Sequence, residues 1–371
     1  MLLDRLKIAL FSLSVFKQTL GFKMYLNIIL PLLGGFQFLR DRSPIRLLLP
    51  FQILLLINLA VVVFKGEYQA IPRLGQLWCL LYFCSFIEKQ MPKEILDKSI
   101  KLIAVMGFLF IFVEMIFGPP LEGYIPFLKT DFTRQYGIYG EPNFSAMLMF
   151  GVALYLIVFG FYKFSLLAII ALVFTVSKGT MLALLLFFAL FSLKKLKRLQ
   201  TWALNILMIV FLFIPLPIYM SGKMLSYPQK LFMHQLTSKR YFLFLPYIKM
   251  GIDHPLGVGY FQGPKYIANY QKSEISEFSE EQKARILALQ QHSIFVQIFS
   301  EFGLIGYLIF SFQLWWLFKI SLKNREYEIS AAFVSVLAGF SLLNGLSEMT
   351  LYLFIGLIMS YDGLRNKKIT L

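Results

Sequence analysis

Long apolar runs recur along the whole chain, and they constrain its fold more than any other feature. Hydrophobic residues make up 58% of the 371 residues and charged residues only 15%, which is more apolar surface than a soluble domain of this length can bury. The apolar segments lie at approximately 8–22, 24–39, 46–64, 74–87, 102–117, 144–162, 164–177, 179–193, 201–220, 293–318, 329–345 and 347–363. The sequence therefore predicts an all-α polytopic membrane protein with about twelve transmembrane helices.

Basic residues are distributed unevenly between the two sets of connections, although the chain as a whole carries a net charge of +16. If the N-terminus is cytoplasmic, most lysines and arginines fall in the inner connections. The short outer connections then hold only Lys23, Lys65, Arg73, Lys129, Arg134 and Lys178. This asymmetry predicts cytoplasmic N- and C-termini. It also explains the net charge by topology, so no nucleic-acid partner is expected.

The same topology divides the chain into three parts. Residues 1–220 hold the first nine predicted transmembrane helices, with an outer loop at about 118–143; residues 221–292 form a large extracytoplasmic loop containing short helices; and residues 293–371 hold the last three transmembrane helices. In the large loop, the apolar residues after Arg240 are expected to form a helix along the membrane surface. The spacing of apolar residues at 275–289 suits an amphipathic helix.

Several polar residues stand out against this apolar background on the predicted outer side. Lys178 interrupts the run 164–193, where a lysine marks a functional position unless a tight outer turn simply exposes it. Glu141 and Asn143 precede the sixth segment, where they would bind substrate or cap and complement a helix N-terminus. Arg134 lies in the preceding loop. Arg240 could snorkel beside its apolar neighbours or grip a phosphate in bidentate fashion.

A histidine opens the tenth apolar segment, directly after the large loop. On a continuous helix at about 100° per residue, His292, Gly303 and Gly306 would share one face. Small residues let membrane helices approach closely, so the two glycines are expected to form a helix-packing motif that aims His292 into a protein-lined space. A histidine there is a candidate for proton transfer. Of the other two loop histidines, His254 precedes a proline and is assigned to loop structure, and His234 has no partner visible in the sequence.

Arg134, Lys178, Arg240 and His292 thus come from separate parts of the chain and fall on one predicted side. Three cations and a histidine suit a substrate with an anionic phosphate and a proton to remove. The sequence has no Asp-x-Asp pair, Walker loop or Gly-x-Ser-x-Gly elbow. It therefore predicts a metal-independent transfer without a cofactor, in which the cations stabilise a departing phosphate.

The chain resembles the bacterial O-antigen ligase and polymerase superfamily over roughly residues 130–320. The pattern of His292, Ser293, nine residues, Gly303, two residues and Gly306 carries the resemblance. So do the segments RQYGIYGEPNFSAMLM, SKGTMLALLL and Arg240 with DHPLGVG, in that order. The resemblance implies a fold comparable to the GT-C glycosyltransferases, in the bacterial cytoplasmic membrane, with the active site facing outward.

The resemblance implies separate roles for three of the residues. His292 would act as general base on an acceptor hydroxyl, and Arg240 with Lys178 would neutralise the pyrophosphate of an undecaprenyl-pyrophosphate-linked glycan donor. Transfer would then invert the anomeric centre. The family commonly has arginine where this chain has Lys178, so the charge is retained but the bidentate fork is lost.

The acceptor separates the two activities of the superfamily. A polymerase would join lipid-linked repeat units of O-antigen, capsule or exopolysaccharide, and the Glu-Pro-Asn sequence at 141–143 favours this activity. A ligase would transfer the glycan to a lipid A core sugar. A lipid-linked glycan transporter, or flippase, is the alternative from another class, and an assembly subunit is a third. Expected partners are the glycan donor and acceptor, membrane lipids and, for a polymerase, a chain-length regulator.

Overall fold

The computed structural model describes residues 2–13, 29–40, 48–117, 121–125, 130–134, 142–236, 241–271, 293–323, 327–341 and 349–369. Almost all of this part is helical, as the sequence predicts. The first helices are α1 (Leu2–Leu13), α2 (Ile29–Arg40), α3 (Leu49–Phe64), α4 (Ile71–Gln90) and α5 (Lys93–Phe117). They are followed by an antiparallel hairpin of β1 (Leu121–Ile125) and β2 (Thr130–Arg134), which the all-α prediction did not include.

The remaining elements are again helices. They are α6 (Pro142–Val158), α7 (Tyr162–Phe174), α8 (Lys178–Ser192), α9 (Lys197–Leu212), α10 (Pro215–Met224), α11 (Tyr227–Leu236), α12 (Tyr241–Asp253), α13 (Gly263–Tyr266), α14 (Ala268–Gln271), α15 (Ile294–Glu301), α16 (Gly303–Lys323), α17 (Tyr327–Phe340) and α18 (Met349–Ile369). Each predicted apolar segment overlaps a helix. The predicted segment 293–318 is divided between α15 and α16.

Several helices of the described part are suited to a membrane by length and composition. Three are long and apolar enough to cross one, at Tyr68–Gln90, Lys93–Ile116 and Gly303–Lys323. The pair α9 and α10 passes the same test together, with a bend of 60° between them. Other apolar helices, such as α3, α6 and α17, are shorter. The number, length and apolar composition of these helices are those of a multi-pass membrane protein.

The core lies where helices are buried on every side. From Ser145 to Ile157, α6 exposes almost nothing, and α15 and most of α17 are equally enclosed. A helix that is apolar all round belongs in an interior of this kind. By contrast, α5, α8 and α9 keep large apolar side chains such as Phe112, Leu185 and Ile206 exposed, as expected for helices that contact lipid.

Side-chain contacts join the helix ends that the charge distribution assigns to one side. On the predicted outer side, Lys265 forms an ion pair with Glu67, and Tyr307 Oη donates to Leu212 O at 2.9 Å. On the predicted inner side, Arg40 Nη1 donates to Gln90 Oε1 at 3.0 Å. Each of these contacts joins two segments that the charge distribution assigns to the same side.

The helix after Arg240 does not lie on a surface, contrary to the prediction. Along α12, the residues from Tyr241 to Met250 are buried apart from Lys249. The physical reason is close packing on α15, since a Cβ at Gly251 would lie 2.2 Å from Phe299 O. The predicted amphipathic helix at 275–289 lies outside the described residues.

Candidate functional site

Two segments far apart in sequence dock against each other, and we call this contact the junction. It consists of residues 254–260, which follow α12, and residues 300–306, where α15 ends and α16 begins. Three backbone hydrogen bonds join them: Val258 N to Ser300 O at 3.3 Å, Gly259 N to Glu301 O at 3.0 Å and Ile305 N to Pro255 O at 3.1 Å. Backbone groups at helix ends have no intrahelical partners. The junction therefore supplies hydrogen-bond partners to the last carbonyls of α15 and to an early N–H of α16.

Glycines are required at the junction because the two backbones almost touch. Gly257 and Gly303 have left-handed φ values of +83° and +73°, which side chains with a Cβ rarely adopt. A Cβ at Gly257 would lie 2.2 Å from Glu301 O, and one at Gly303 would lie 2.2 Å from Pro255 O. No alanine fits at either position without moving the backbone.

The junction corrects the prediction of one continuous helix through His292, Gly303 and Gly306. The helix α15 begins only at Ile294, with Ser293 as its N-cap, and ends at Glu301. Because Gly303 is left-handed, α15 and α16 are separate helices, and the continuous helix predicted across Gly303 does not form. His292 itself lies outside the described residues. Gly306 packs on α3 instead, where a Cβ would lie 2.8 Å from Leu54 Cδ1.

A buried asparagine of α3 reaches both halves of the junction. Asn58, which is 1% exposed, donates from Nδ2 to Glu301 O at 3.0 Å and accepts at Oδ1 from Tyr260 N at 2.8 Å. The Glu301 carboxylate is also buried and accepts from Gln297 Nε2 at 3.0 Å. Asn58 and Glu301 are not among the site residues that the sequence predicts, although Asn58 is an isolated polar residue in an apolar run and Glu301 is a carboxylate within another.

The turn between α7 and α8 carries another part of the predicted site. Lys178 is the first residue of α8, and its side chain is exposed. The preceding Ser177 donates from Oγ to Asn143 Oδ1 at 3.2 Å, so the structure brings Asn143 to the Lys178 turn. Asn143 does not cap α6, because that helix already begins at Pro142, which suits a first helical position.

The other predicted site residues are less fully described. Arg134 is the last residue of β2, where it pairs with Leu121, and nothing is described of its side chain. Glu141, Arg240 and His292 lie outside the described residues. Their neighbours in sequence are placed: Arg240 directly precedes α12, and His292 precedes Ser293 at the start of α15.

An apolar cleft of about 730 Å³ opens beside the junction. Side chains from α9, α10, α12, α15 and α16 line it, and nearly all of them are apolar. Phe299 and Leu304 belong to both the cleft and the two helices of the junction, and Tyr307 and Ser311 are the few polar contributors on α16. The bend between α9 and α10 lies along one wall. The cleft has the chemical character of a site for a hydrocarbon chain.

A polar margin covers the exposed side of the junction. His254 Nε2 lies 3.2 Å from Tyr270 Oη, and Lys65 Nζ donates to Gly257 O at 3.4 Å. Burial lowers the pKa of His254, Lys65 lowers it further, and Asp253 opposes them. Burial likewise raises the pKa of Tyr270. These contacts fit the structural role predicted for His254.

Metal ligands do not come together in the part of the chain that the structure describes. No three His, Cys, Asp or Glu side chains there are grouped to hold an ion. The two cysteines, Cys79 and Cys84, are free thiols.

Residues 163–311 match the family model described as O-antigen ligase. The matched region is less than half of the chain, and it contains the Lys178 turn, α9 to α12, the junction and much of the wall of the apolar cleft. No curated protein sequence matches the chain. The family match confirms the resemblance that the sequence motifs carry.

Proposed function

We propose, from its membership of the O-antigen ligase and polymerase superfamily, that this chain transfers a lipid-linked glycan to an acceptor hydroxyl outside the cytoplasmic membrane. The observation that carries the proposal is the junction. It unites two segments that each resemble the superfamily, DHPLGVG and the Gly-x-x-Gly sequence, into one docked unit inside the matched region. The full plan of about twelve spans, the GT-C-like fold and cytoplasmic termini belong to this proposal.

The apolar cleft supports a donor with a polyprenyl tail. A hydrocarbon chain is stabilised wherever apolar surface leaves water, and an undecaprenyl chain needs a long apolar surface that ends near the reacting phosphate. The cleft runs along α16 and reaches the junction through Phe299 and Leu304. Undecaprenyl pyrophosphate carrying an oligosaccharide is therefore the proposed donor.

Lys178 supports the assignment of a pyrophosphate site. A cation at the first residue of a helix faces the positive end of the helix dipole, which is unfavourable by about 0.3–1 kcal/mol. Among the described residues, no contact of the exposed ammonium offsets this unfavourable energy. The hydrogen bond to Asn143 is made by Ser177, not by Lys178. We assign Lys178, with Arg240 and Arg134, to the donor phosphates, and Glu141 and Asn143 to substrate binding.

The reaction proposed for His292 is a direct displacement. The imidazole takes the proton of the acceptor hydroxyl while that oxygen attacks the anomeric carbon. The bond from that carbon to the phosphate oxygen breaks, and undecaprenyl pyrophosphate leaves with the electron pair, stabilised by Arg240 and Lys178. In support, α12 and α15 pack together and both end at the junction, while Arg240 and His292 stand just before their first turns.

Two acceptors remain as candidates, each with its own support. The Glu-Pro-Asn sequence at 141–143 favours a second lipid-linked repeat unit, which makes the protein a polysaccharide polymerase of O-antigen, capsule or exopolysaccharide. The description of the matched model, O-antigen ligase, favours the lipid A core. A chain-length regulator is a proposed partner of the polymerase only.

Reconstitution in vesicles with a lipid-linked repeat unit, with and without lipid A core, tests the proposal. Laddered products without the core identify a polymerase, and a single core-dependent transfer identifies a ligase. His292→Ala should abolish product in either case, whereas His234→Ala, in α11, should not. Movement of the lipid-linked unit across the membrane without any new glycosidic bond would instead identify a flippase and refute the proposed chemistry.

A further inference from the structure

The buried Asn58 has no role in the site as the sequence predicts it. It lies in α3 within the apolar run 49–64, where its side chain is 1% exposed. Burying an amide without partners would cost about 1–3 kcal/mol. Its two described partners, Glu301 O and Tyr260 N, are 243 and 202 residues away in sequence. The amide thus ties three distant parts of the chain together.

Both bonds fall at groups that the fold leaves in need of a partner. Glu301 O is a carbonyl at the end of α15, where intrahelical donors run out, and it accepts from Gly259 N as well as from Asn58. The N–H of Tyr260 is buried and donates to Asn58 Oδ1. An asparagine supplies the donor and the acceptor from one short side chain, which neither leucine nor aspartate does.

The position of Asn58 fixes α15 against α3. One turn earlier on α3, Leu54 packs against Gly306 of α16, so α3 contacts the structure on both sides of the break. Because α15 has only eight residues and is fully buried, it spans about 12 Å. A displacement at its end is therefore carried to its beginning, at Ser293, next to His292.

We propose that Asn58 is a positioning residue for the glycan transfer, acting through the junction and α15 on the placement of His292. This inference rests on the proposed function. Asn58 takes no part in binding the donor or in proton transfer. Its effect is on the orientation of the base, and misplacement of a reacting group by about 1 Å lowers a rate by about a hundredfold.

The test compares Asn58→Leu and Asn58→Asp with Gln52→Leu in the reconstituted full-length protein. Gln52 is a matched control because it lies on the same helix, is 4% exposed, and has an Nε2 without a hydrogen-bond partner among the described residues. We expect Asn58→Leu to lower kcat about ten- to a hundredfold with the KM for the donor nearly unchanged. Asn58→Asp should also be impaired, because its carboxylate cannot donate to Glu301 O. Gln52→Leu should retain activity.

A second measurement does not depend on catalysis. A cysteine is introduced by His292→Cys in a chain that also carries Cys79→Ala, and its rate of modification by a maleimide is compared with and without Asn58→Leu. A changed rate with an unchanged melting temperature supports positioning. Equal rates and an unchanged kcat overturn the proposal, as does a loss of kcat that only follows a loss of folded protein. If His292→Ala stays active while the modification rate changes, the proposed base is wrong but the placement by Asn58 is retained.

Discussion

The junction and the Lys178 turn both lie in the region that matches the family model, yet the fold holds them in opposite ways. At the junction, two glycines, three backbone hydrogen bonds and a buried amide fix the backbone from several directions. At the turn, an exposed ammonium stands at the start of α8, and the neighbouring Ser177 donates a side-chain hydrogen bond to Asn143 Oδ1. In the first region packing dictates the residue types, and in the second we propose that charge does. Substitution of the junction glycines should therefore act on folding, whereas substitution of Lys178 should act on activity.

The largest effect is expected from Gly303→Ala. The new Cβ would combine a left-handed backbone with a clash against Pro255 O, and together strain and overpacking destabilise by about 2–5 kcal/mol. Melting temperature and folded yield in detergent measure the effect. The matched control is Gly66→Ala, because Gly66 has a φ of +69° but nothing within 4 Å of its Cβ position, so it should lose only the strain. Equal losses would show that the junction is not tightly packed.

The next effect is expected from Lys178→Ala, on activity and not on stability. Loss of a charge-assisted contact to the donor phosphate removes about 1.5–3 kcal/mol, which is about a ten- to hundredfold loss of kcat/KM. Lys178→Arg should retain activity, since the charge remains. Lys163→Ala is the control, because Lys163 is exposed at the opposite end of α7. If Lys178→Ala lowered the melting temperature instead, the contrast with the junction would fail.

A smaller effect is expected from Leu308→Trp, which narrows the apolar cleft beside the junction. Leu308 lines the cleft and is 60% exposed, so the larger side chain can be accommodated without disturbing the core. The KM for the lipid-linked donor should rise severalfold while kcat changes little. Leu185→Trp, on an exposed face of α8, should leave both constants unchanged. An unchanged KM for Leu308→Trp would exclude the cleft as the lipid site.

The smallest effect concerns the polar margin of the junction and its response to pH. Burial lowers the pKa of His254 below its ordinary value of 6.5, so the unfolded chain takes up the proton more readily than the folded protein. Stability should therefore be full above about pH 6.5 and fall as the pH is lowered below it. Melting temperatures measured across this range should decline less for His254→Gln than for the unaltered chain. An identical decline would assign the pH response to other groups.

The sequence predicted the features that depend on local composition. The apolar runs that became α3, α5 and α9 need no distant contact to be recognised, because a membrane helix satisfies its own backbone. Lys178 is visible for the same reason, as a charge inside an apolar run. The need for small residues at Gly303 and Gly306 could also be inferred, although not the contacts that create it.

What the sequence could not show depends on contacts between distant segments. The break between Phe302 and Gly303 exists because Pro255 and Gly257 occupy the space beside it. The helical periodicity of the sequence does not reveal this contact with a distant segment. The burial of α12 likewise depends on its packing on α15. Asn58 is a single amide within the apolar run of α3, and its role becomes visible only from its hydrogen bonds to Tyr260 N and Glu301 O.

The bonds of Asn58 also bear on how the chain is made. Its partners are 202 and 243 residues away, so α3 leaves the ribosome long before either partner is synthesised. During that interval an unsatisfied amide stands in an apolar helix, and contacts of such separation form late. The side chain that completes the junction in the folded protein therefore leaves the newly made α3 with an unpaired amide. That amide gains its hydrogen bonds only when the last third of the chain has been synthesised.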